Sequence, residues 1–167
     1  MILYVWGMKN ILLVLLVSVL LIGCSENRVK FDELYSKGEY ENKRWYYNSK
    51  TYTGQVYNTY SNGRLKNEFN MKDGLVDGNY KVYWERSDYL KYDKNYKNGK
   101  EHGIQRKYFE RNGHLQTETN YKNGIEHGLI TNYFNSGKVY SQQKFENGKR
   151  EFLNCFNEDG TKRDCYN

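Results

Sequence analysis

The strongest constraint on this chain is a repeat of about 25 residues that runs through its middle and C-terminal parts. Residues 95–99 read NYKNG and recur as residues 120–124, while related copies end at Gly74 and Gly148. The final glycines of the four copies are 25, 25 and 24 residues apart. A repeat of this length predicts that one supersecondary unit is copied along the chain. A second set of glycines keeps nearly the same spacing: Gly54, Gly78, Gly103 and Gly128.

Two turn signals divide each unit. Type I′ hairpin turns need positive φ at both central positions, which Asn and Gly tolerate. Between the turns, segments of about eight to ten residues alternate with a period of two, which is typical of half-buried antiparallel strands. We therefore predict an all-β fold, an elongated single-layer antiparallel β-meander that advances by ~10 Å per two-stranded unit. Asn-Gly pairs occur at residues 62–63, 98–99, 112–113, 123–124 and 147–148.

Composition narrows the class of protein further. The 167 residues include 18 Tyr and no Pro, and aromatic residues make up 17% of the chain. This aromatic content is unusual for a disordered chain. The mean hydropathy of −0.99 excludes a protein with several membrane spans. Three Cys are too few for a disulfide-dense mini-protein. One domain with a Tyr-rich core remains.

The repeat resembles the bacterial variant of the MORN repeat, which occurs in YwqK-like antitoxins. The resemblance covers about residues 45–150 and implies a fold of β-hairpin repeats. It further implies toxin-neutralising or immunity-like binding to a protein partner. Phe152 stands where the spacing places a glycine, which suggests a cap that ends the array. The residues that carry the resemblance in one unit are Gly103, Tyr108, Phe109, Gly113, Leu115, Tyr121, Asn123, Gly124 and Gly128.

Aromatic residues form the most informative predicted surface. We expect one side of the sheet to carry Tyr83, Tyr108, Tyr133, Tyr96 and Tyr121, with Leu90 and Leu115. The aromatic residues that follow three of these tyrosines complete the predicted binding ladder: Trp84, Phe109 and Phe134. Trp84 and Phe109 are expected on the opposite side, and the repeat glycines are expected to let an aromatic ring lie across the backbone. The ladder is either a core covered by curvature or by residues 25–46, or a binding surface.

The N-terminus has the features of an export signal. Residues 11–22 are uncharged and strongly apolar, Lys9 precedes them, and Gly23-Cys24 follows. This pattern is typical of a signal peptide, and its end resembles the bacterial lipobox. We predict a signal peptide at 1–23, a lipidated tether and irregular leading segment at 24–46 with the lipid on Cys24, and repeats at 47–167. A retained transmembrane anchor is the alternative.

The same resemblance implies an exported, membrane-anchored bacterial lipoprotein. Ser25 follows the predicted lipidated Cys, which implies the outer membrane if the cell has two membranes. Cys155 and Cys165 flank a predicted turn near residues 158–160, and in an exported protein such a pair suggests a disulfide. Two reduced thiols are the alternative.

Metal binding and catalysis find little support in the sequence. His102 and His127 occupy matching Glu-His-Gly triplets, and equivalent strands lie ~10 Å apart. Zinc ligands bind at ~2 Å, so we predict surface histidines and no metal. No nucleophile–base motif or phosphate-binding loop is present in the sequence. The prediction is therefore no enzyme, no cofactor and no small-molecule substrate.

The predicted export and the mildly basic net charge of the chain limit the classes of partner that it can bind. The net charge is +6, which is a poor fit to nucleic acid binding in an exported protein. We predict a non-catalytic module that binds an unidentified protein partner, with membrane contact through the N-terminal lipid. The alternative is a structural envelope protein that contacts anionic lipid or glycan. That alternative draws on a row of lysines at one end of the sheet: Lys72, Lys97 and Lys122.

Overall fold

A computed structural model describes residues 28–39 and 42–165. Their strands are β1 (Arg28–Lys30), β2 (Tyr35–Lys37), β3 (Arg44–Tyr47), β4 (Lys50–Thr51), β5 (Gly54–Thr59), β6 (Leu65–Lys72), β7 (Leu75–Tyr83), β8 (Leu90–Lys97), β9 (Lys100–Glu101), β10 (Gly103–Tyr108), β11 (Leu115–Lys122), β12 (Ile125–Tyr133), β13 (Val139–Glu146), β14 (Lys149–Phe156) and β15 (Lys162–Arg163). A short 3-10 turn, Phe31–Glu33, follows β1. The predicted signal peptide and Cys24 lie outside the described residues.

The strands form one long sheet and one small sheet. The long sheet has twelve strands in the order β1-β5-β6-β7-β8-β10-β11-β12-β13-β14-β15, and β9 also pairs with β8. From β5 onward every neighbouring pair is antiparallel, and the chain returns through hairpins. The predicted all-β antiparallel meander is confirmed. β2, β3 and β4 form the small antiparallel sheet.

Asx-Gly turns join the two-stranded units as predicted, but at Asn62-Gly63 and Asn112-Gly113, which lie within units, only the glycine has positive φ. Asp73, Asn98, Asn123 and Asn147 have φ between 50° and 54°, and the glycine after each has φ between 76° and 84°. Positive φ at both central positions matches the right-handed twist of the flanking strands. The local sequence therefore determines where each hairpin reverses.

The repeat glycines occupy bulges within the strands. In β6 and β7, Phe69 lies opposite Tyr80 while Met71 lies opposite Val76, so three residues of β7 face one residue of β6. Gly78 is the middle residue of the three and has φ 96°. Gly103 and Gly128 have φ 81° and 91° at the equivalent positions. A residue with Cβ rarely adopts this backbone conformation.

An Asn side chain lies on the side of these glycines where a Cβ would point. A Cβ on Gly103 would meet Asn95 at 4.0 Å, and one on Gly128 would meet Asn120 at 3.5 Å. Asn95 Nδ2 donates to the Ile104 carbonyl at 2.7 Å, and Asn120 Nδ2 donates to the Leu129 carbonyl at 3.0 Å. The sequence analysis did not predict this amide. An aromatic residue of the adjacent strand also lies opposite each glycine, namely Tyr96, Tyr121 and Phe145. The bulge turns a backbone carbonyl out of the ladder, and an amide donor satisfies it where a ring cannot.

The hydrophobic core lies at the N-terminal end of the long sheet. Its buried residues are Leu34, Tyr52, Val56, Phe69 and Met71. Phe31 and Trp45 pack against them with their rings 4.8 Å apart. β1 adds to β5 in parallel, so the leading segment both extends and covers the first unit. The face that it covers is called the capped face below.

The C-terminal end carries the predicted disulfide. Cys155 is joined to Cys165 with Cα atoms 5.4 Å apart. The bridge holds the two-residue strand β15 beside β14, where β15 pairs only with Cys155 and Phe156. The remaining residues of β14 form the outer edge of the sheet, and no described strand pairs with them there.

Candidate binding surface

The register of the sheet sorts the side chains onto two faces. Residues opposite one another in adjacent strands share a face, and neighbours within a strand alternate. Val56, Phe69 and Tyr80 lie opposite one another on the capped face. The opposite face is called the ladder face here. It carries a row of charged residues in direct register: Glu68, Lys81, Asp93, Arg106 and Glu118.

The predicted tyrosine ladder is divided between these two faces. Tyr96 contacts Tyr80 on the capped face, with ring centroids 5.8 Å apart. Tyr121 shares that face, because it lies opposite Gly103 and lines a groove with Gln105. The single-sided ladder is therefore wrong. Tyr83, Tyr108 and Tyr133 belong to the ladder face, where Tyr83 donates a hydrogen bond to Glu68 at 2.8 Å.

A one-residue register shift explains the error. Tyr108 lies opposite Leu115, but Lys107 lies opposite Thr117, so β11 has one extra residue between these two pairs. Beyond this bulge Gly103 lies opposite Tyr121. A slip of one residue moves a side chain to the other face of a sheet. Tyr108 and Tyr121 therefore point to opposite sides, although an unbroken count of alternate residues places them together.

Burial and nearby carboxylates keep the tyrosines neutral. Burial, and then the hydrogen bond with Glu68, raise the pKa of Tyr83 to about 12. Burial, and then the charge of Glu101, raise the pKa of Tyr96 to about 12. Burial also raises the pKa of Tyr108, with Asp93 adding to the shift. These phenols remain hydrogen-bond donors in neutral solution and hold carboxylates on both faces.

The charged row of the ladder face alternates in sign along its length. Arg106 Nε lies 2.9 Å from Glu118 Oε2, and Arg28 lies 4.0 Å from Glu68 at the N-terminal end. Opposite charges in cross-strand positions stabilise a sheet modestly. The row becomes uncharged toward the C-terminus, where the next positions in register are Thr131, Gln142 and Asn154.

Trp84, Phe109 and Phe134 lie at hairpin ends, where the strands close. The backbone N–H of each donates across the hairpin, at 3.1 Å to Tyr89, 2.9 Å to His114 and 2.8 Å to Lys138. Lys91 Nζ lies 4.5 Å above the Trp84 ring. The sequence analysis missed Tyr60, which makes the same bond to Arg64 at 2.8 Å. Tyr60 lies six residues after Gly54, as Trp84 lies six residues after Gly78, so the repeat spacing predicts that Tyr60 occupies the equivalent position.

An exposed apolar surface occupies the C-terminal end of the ladder face. Six large hydrophobic side chains are exposed in the part of the chain that the structure describes, and four of them fall between residues 125 and 152. Leu129 and Phe152 are each 40% exposed and lie opposite Lys144 from either side. Lys144 pairs with Glu151 at 2.6 Å. Leu129, Lys144, Glu151 and Phe152 are called the C-terminal patch below.

The capped face beyond the core forms a shallow polar groove of about 170 Å³. Lys94 pairs with Glu101 at 2.7 Å there. Gln105 is buried, with its amide exchanging two hydrogen bonds with the backbone of Asn95 at 3.0 and 2.7 Å. The polar groups that line the groove therefore largely satisfy one another, so the C-terminal patch is the stronger candidate for binding.

Metal-ligating side chains are scattered over residues 28–39 and 42–165. Among these residues, no group of three or more His, Cys, Asp or Glu side chains is placed to hold a metal ion. None of their helices is long and apolar enough to span a membrane. Lys72, Lys97 and Lys122 are exposed beside successive turns.

No protein-family model, curated protein or solved structure matches this chain.

Proposed function

We propose that this chain is a non-catalytic protein-binding module carried by a bacterial lipoprotein, with the lipid on Cys24 as its anchor. The observation that supports this most is the C-terminal patch. Two large apolar side chains there share one exposed face and flank an ion pair. Protein interfaces commonly combine buried apolar anchors with charged groups around them.

The contrast with the other end of the sheet supports a protein partner. At the N-terminal end, the leading segment covers the apolar side chains of the first unit. At the C-terminal end, β15 covers only two residues of β14. The leading segment lies on the capped face, whereas Leu129 and Phe152 lie on the ladder face, where a protein partner could cover them. A toxin is one such partner, and neutralisation by occlusion is the specific form that the MORN-like pattern suggests.

The test is co-purification from cells that express the full chain. Phe152→Glu combined with Leu129→Glu places charge in the patch, so the expected result is loss of a stoichiometric partner that the wild type retains. Tyr35→Ser is the matched control, because Tyr35 is 39% exposed but lies on the small sheet. Equal recovery of the partner by the patch variant, or no stoichiometric partner for the wild type, contradicts the proposal.

The second candidate is a structural envelope protein that contacts anionic lipid or glycan. The exposed row Lys72, Lys97 and Lys122 favours it, because successive lysines lie ~10 Å apart at one end of the sheet. Sedimentation with anionic vesicles is the test, with zwitterionic vesicles as the control. Binding that falls with added salt and is lost when all three lysines become Gln supports this candidate over the first.

A further inference from the structure

Successive units of the sheet are joined by a backbone hydrogen bond from each Asx-Gly turn to the unit before it. In each case the turn glycine donates its N–H to a carbonyl two residues before a repeat glycine. The same bond recurs four times, so it belongs to the interface between units. The pairs are Gly74 to Tyr52 at 2.8 Å, Gly99 to Val76 at 2.8 Å, Gly124 to Glu101 at 2.8 Å and Gly148 to Glu126 at 3.1 Å.

The last long strand, β14, presents a fifth acceptor of this kind. Arg150 stands two residues before Phe152, which occupies the repeat-glycine position of the last unit. Arg150 and Glu126 are each the second residue after an Asx-Gly turn, and the Glu126 carbonyl points away from its own hairpin to Gly148. The N–H and C=O of one strand residue point to the same neighbouring strand. Both backbone groups of Arg150 therefore point to the outer edge of the sheet.

This outer edge of β14 is open next to Arg150. β15 pairs with Cys155 and Phe156 alone, and the disulfide between Cys155 and Cys165 holds it there. Within the part of the chain that the structure describes, no turn glycine donates to the Arg150 carbonyl. The unpaired N–H and C=O groups of an edge strand are a template for another strand. Residues 149–154 therefore have room for one further strand.

We propose that the protein partner adds a strand to this edge, and that this strand ends in an Asx-Gly turn whose glycine N–H donates to the Arg150 carbonyl. The bound strand continues the interface that already joins the units of the chain, and main-chain hydrogen bonds supply the affinity. The inference rests on the proposed function, because it describes how the partner of the C-terminal patch binds. Phe152 of that patch lies two residues from Arg150 on the same strand, so one bound strand contacts both.

The charge of the edge and the turns of the chain itself specify the partner. A second copy of the chain is a poor occupant, because its edge is equally basic and each of its four turn glycines already donates within its own sheet. An acidic strand of a different protein is complementary to the edge, and the basic side chains discourage pairing with other strands. β14 and β15 carry four basic residues and one acidic residue: Lys149, Arg150, Lys162 and Arg163, with Glu151.

The first experiment titrates the full chain with a synthetic peptide that has the sequence of residues 115–124 with Lys122 replaced by Glu. This segment ends in the Asn123-Gly124 turn, and the replacement makes it acidic. Proton–nitrogen NMR should show saturable shifts of the backbone amides of residues 149–154. N-methylation of the turn glycine in the peptide removes the donor and should weaken binding by about threefold to tenfold, the effect of one hydrogen bond. The absence of these shifts, or binding that N-methylation leaves unchanged, overturns the proposal.

The second experiment blocks the edge in the protein. Arg150→Pro removes an N–H that points outward and leaves the bonds between β13 and β14 in place, because an edge strand tolerates proline at such a position. Peptide binding should fall by about tenfold or more, since proline obstructs the added strand. Arg150→Ala is the matched control, which keeps the N–H and should weaken binding by a smaller factor. An Arg150→Pro chain that unfolds at the wild-type temperature and binds the peptide like wild type contradicts the proposal.

Co-purification separates this inference from the proposed function. The Arg150→Pro chain should lose the stoichiometric partner that the wild type retains, although Leu129 and Phe152 are unchanged. Retention of the partner by Arg150→Pro overturns strand addition and leaves the proposed function standing. A wild type without a stoichiometric partner contradicts the proposed function, and the peptide titration then decides whether the edge accepts a strand.

Discussion

The two ends of the long sheet are built from the same repeat but end differently. At the N-terminal end, Val56 is fully buried beneath the leading segment, and Phe69 stacks on Tyr80 with ring centroids 4.8 Å apart. At the C-terminal end, Leu129 and Phe152 remain 40% exposed. A repeat buries its apolar side chains mainly against neighbouring units, so each end needs its own solution. One end has a cap within the chain, and the other leaves Leu129 and Phe152 exposed on the ladder face.

The largest expected effect tests whether stability is concentrated in the capped end. Phe69→Ala removes a buried ring and should lower the free energy of unfolding by about 3–5 kcal/mol. Phe152→Ala is the control at the other end and should change it by less than about 1 kcal/mol, because this ring is exposed. Denaturant unfolding measures both variants. Similar losses for the two remove the distinction between the ends.

Removing the disulfide tests the C-terminal end alone. Cys155→Ser with Cys165→Ser should cost about 2–3 kcal/mol, because the bridge closes a short loop in the unfolded chain. In a repeat array the loss should be local, so hydrogen exchange is expected to accelerate in β14 and β15 before β5 and β6. Uniform acceleration across all units is the result that speaks against two separately stabilised ends.

Gly103 and Phe152 occupy matching positions of two units, and substitutions at these positions are expected to differ in their effect on stability. Gly103→Ala forces a side chain into a backbone with φ 81° and should cost about 1–2 kcal/mol. Phe152→Gly, at the matching position of the last unit, should cost about 1 kcal/mol or less, because no positive-φ bulge is needed there. Thermal unfolding of the two variants measures the difference. A Gly103→Ala protein as stable as wild type contradicts the bulge requirement.

The smallest expected effect is a loss of stability on alkaline titration of two tyrosines, and it begins only well above neutral pH. The pKa values of Tyr83 and Tyr96 are raised from about 10 to about 12 in the fold. Their contribution to stability is therefore complete below about pH 10 and is lost as the pH rises from about 10 to about 12. Phenolate absorbance should show late-titrating tyrosines that include these two, and the Tyr83→Phe and Tyr96→Phe variants should each lack one of them. Titration of both near pH 10 refutes this prediction.

The fold was largely predictable from the sequence because the information is local. The Asx-Gly pairs fix the hairpin turns, and the spacing of Cys155 and Cys165 around a turn predicts their bridge. Which face carries Tyr121 was not predictable, because one bulged residue of β11, Gln116 between Leu115 and Thr117, reverses the count. The partner of the repeat glycines was also missed, since the bulge carbonyl that selects Asn exists only in the folded chain.

The candidate surface was harder to predict for a different reason. Leu129 and Phe152 belong to the ladder face, opposite the face that the leading segment covers, and the alternation of residues does not tell which face that segment covers. The parallel addition of β1 to β5 was equally hidden, because it joins segments about 27 residues apart. Long-range pairing of this kind leaves no periodic trace in the sequence.

The position of β1 also sets a length scale. Nine strand-to-strand steps separate β1 from β14, which corresponds to ~43 Å measured along the sheet. If the chain is tethered just upstream of β1, Phe152 is held at the far end of a stiff arm. Inserting or deleting one unit would change the distance from β1 to Phe152 by ~10 Å without altering either end of the sheet. The number of units therefore determines this distance.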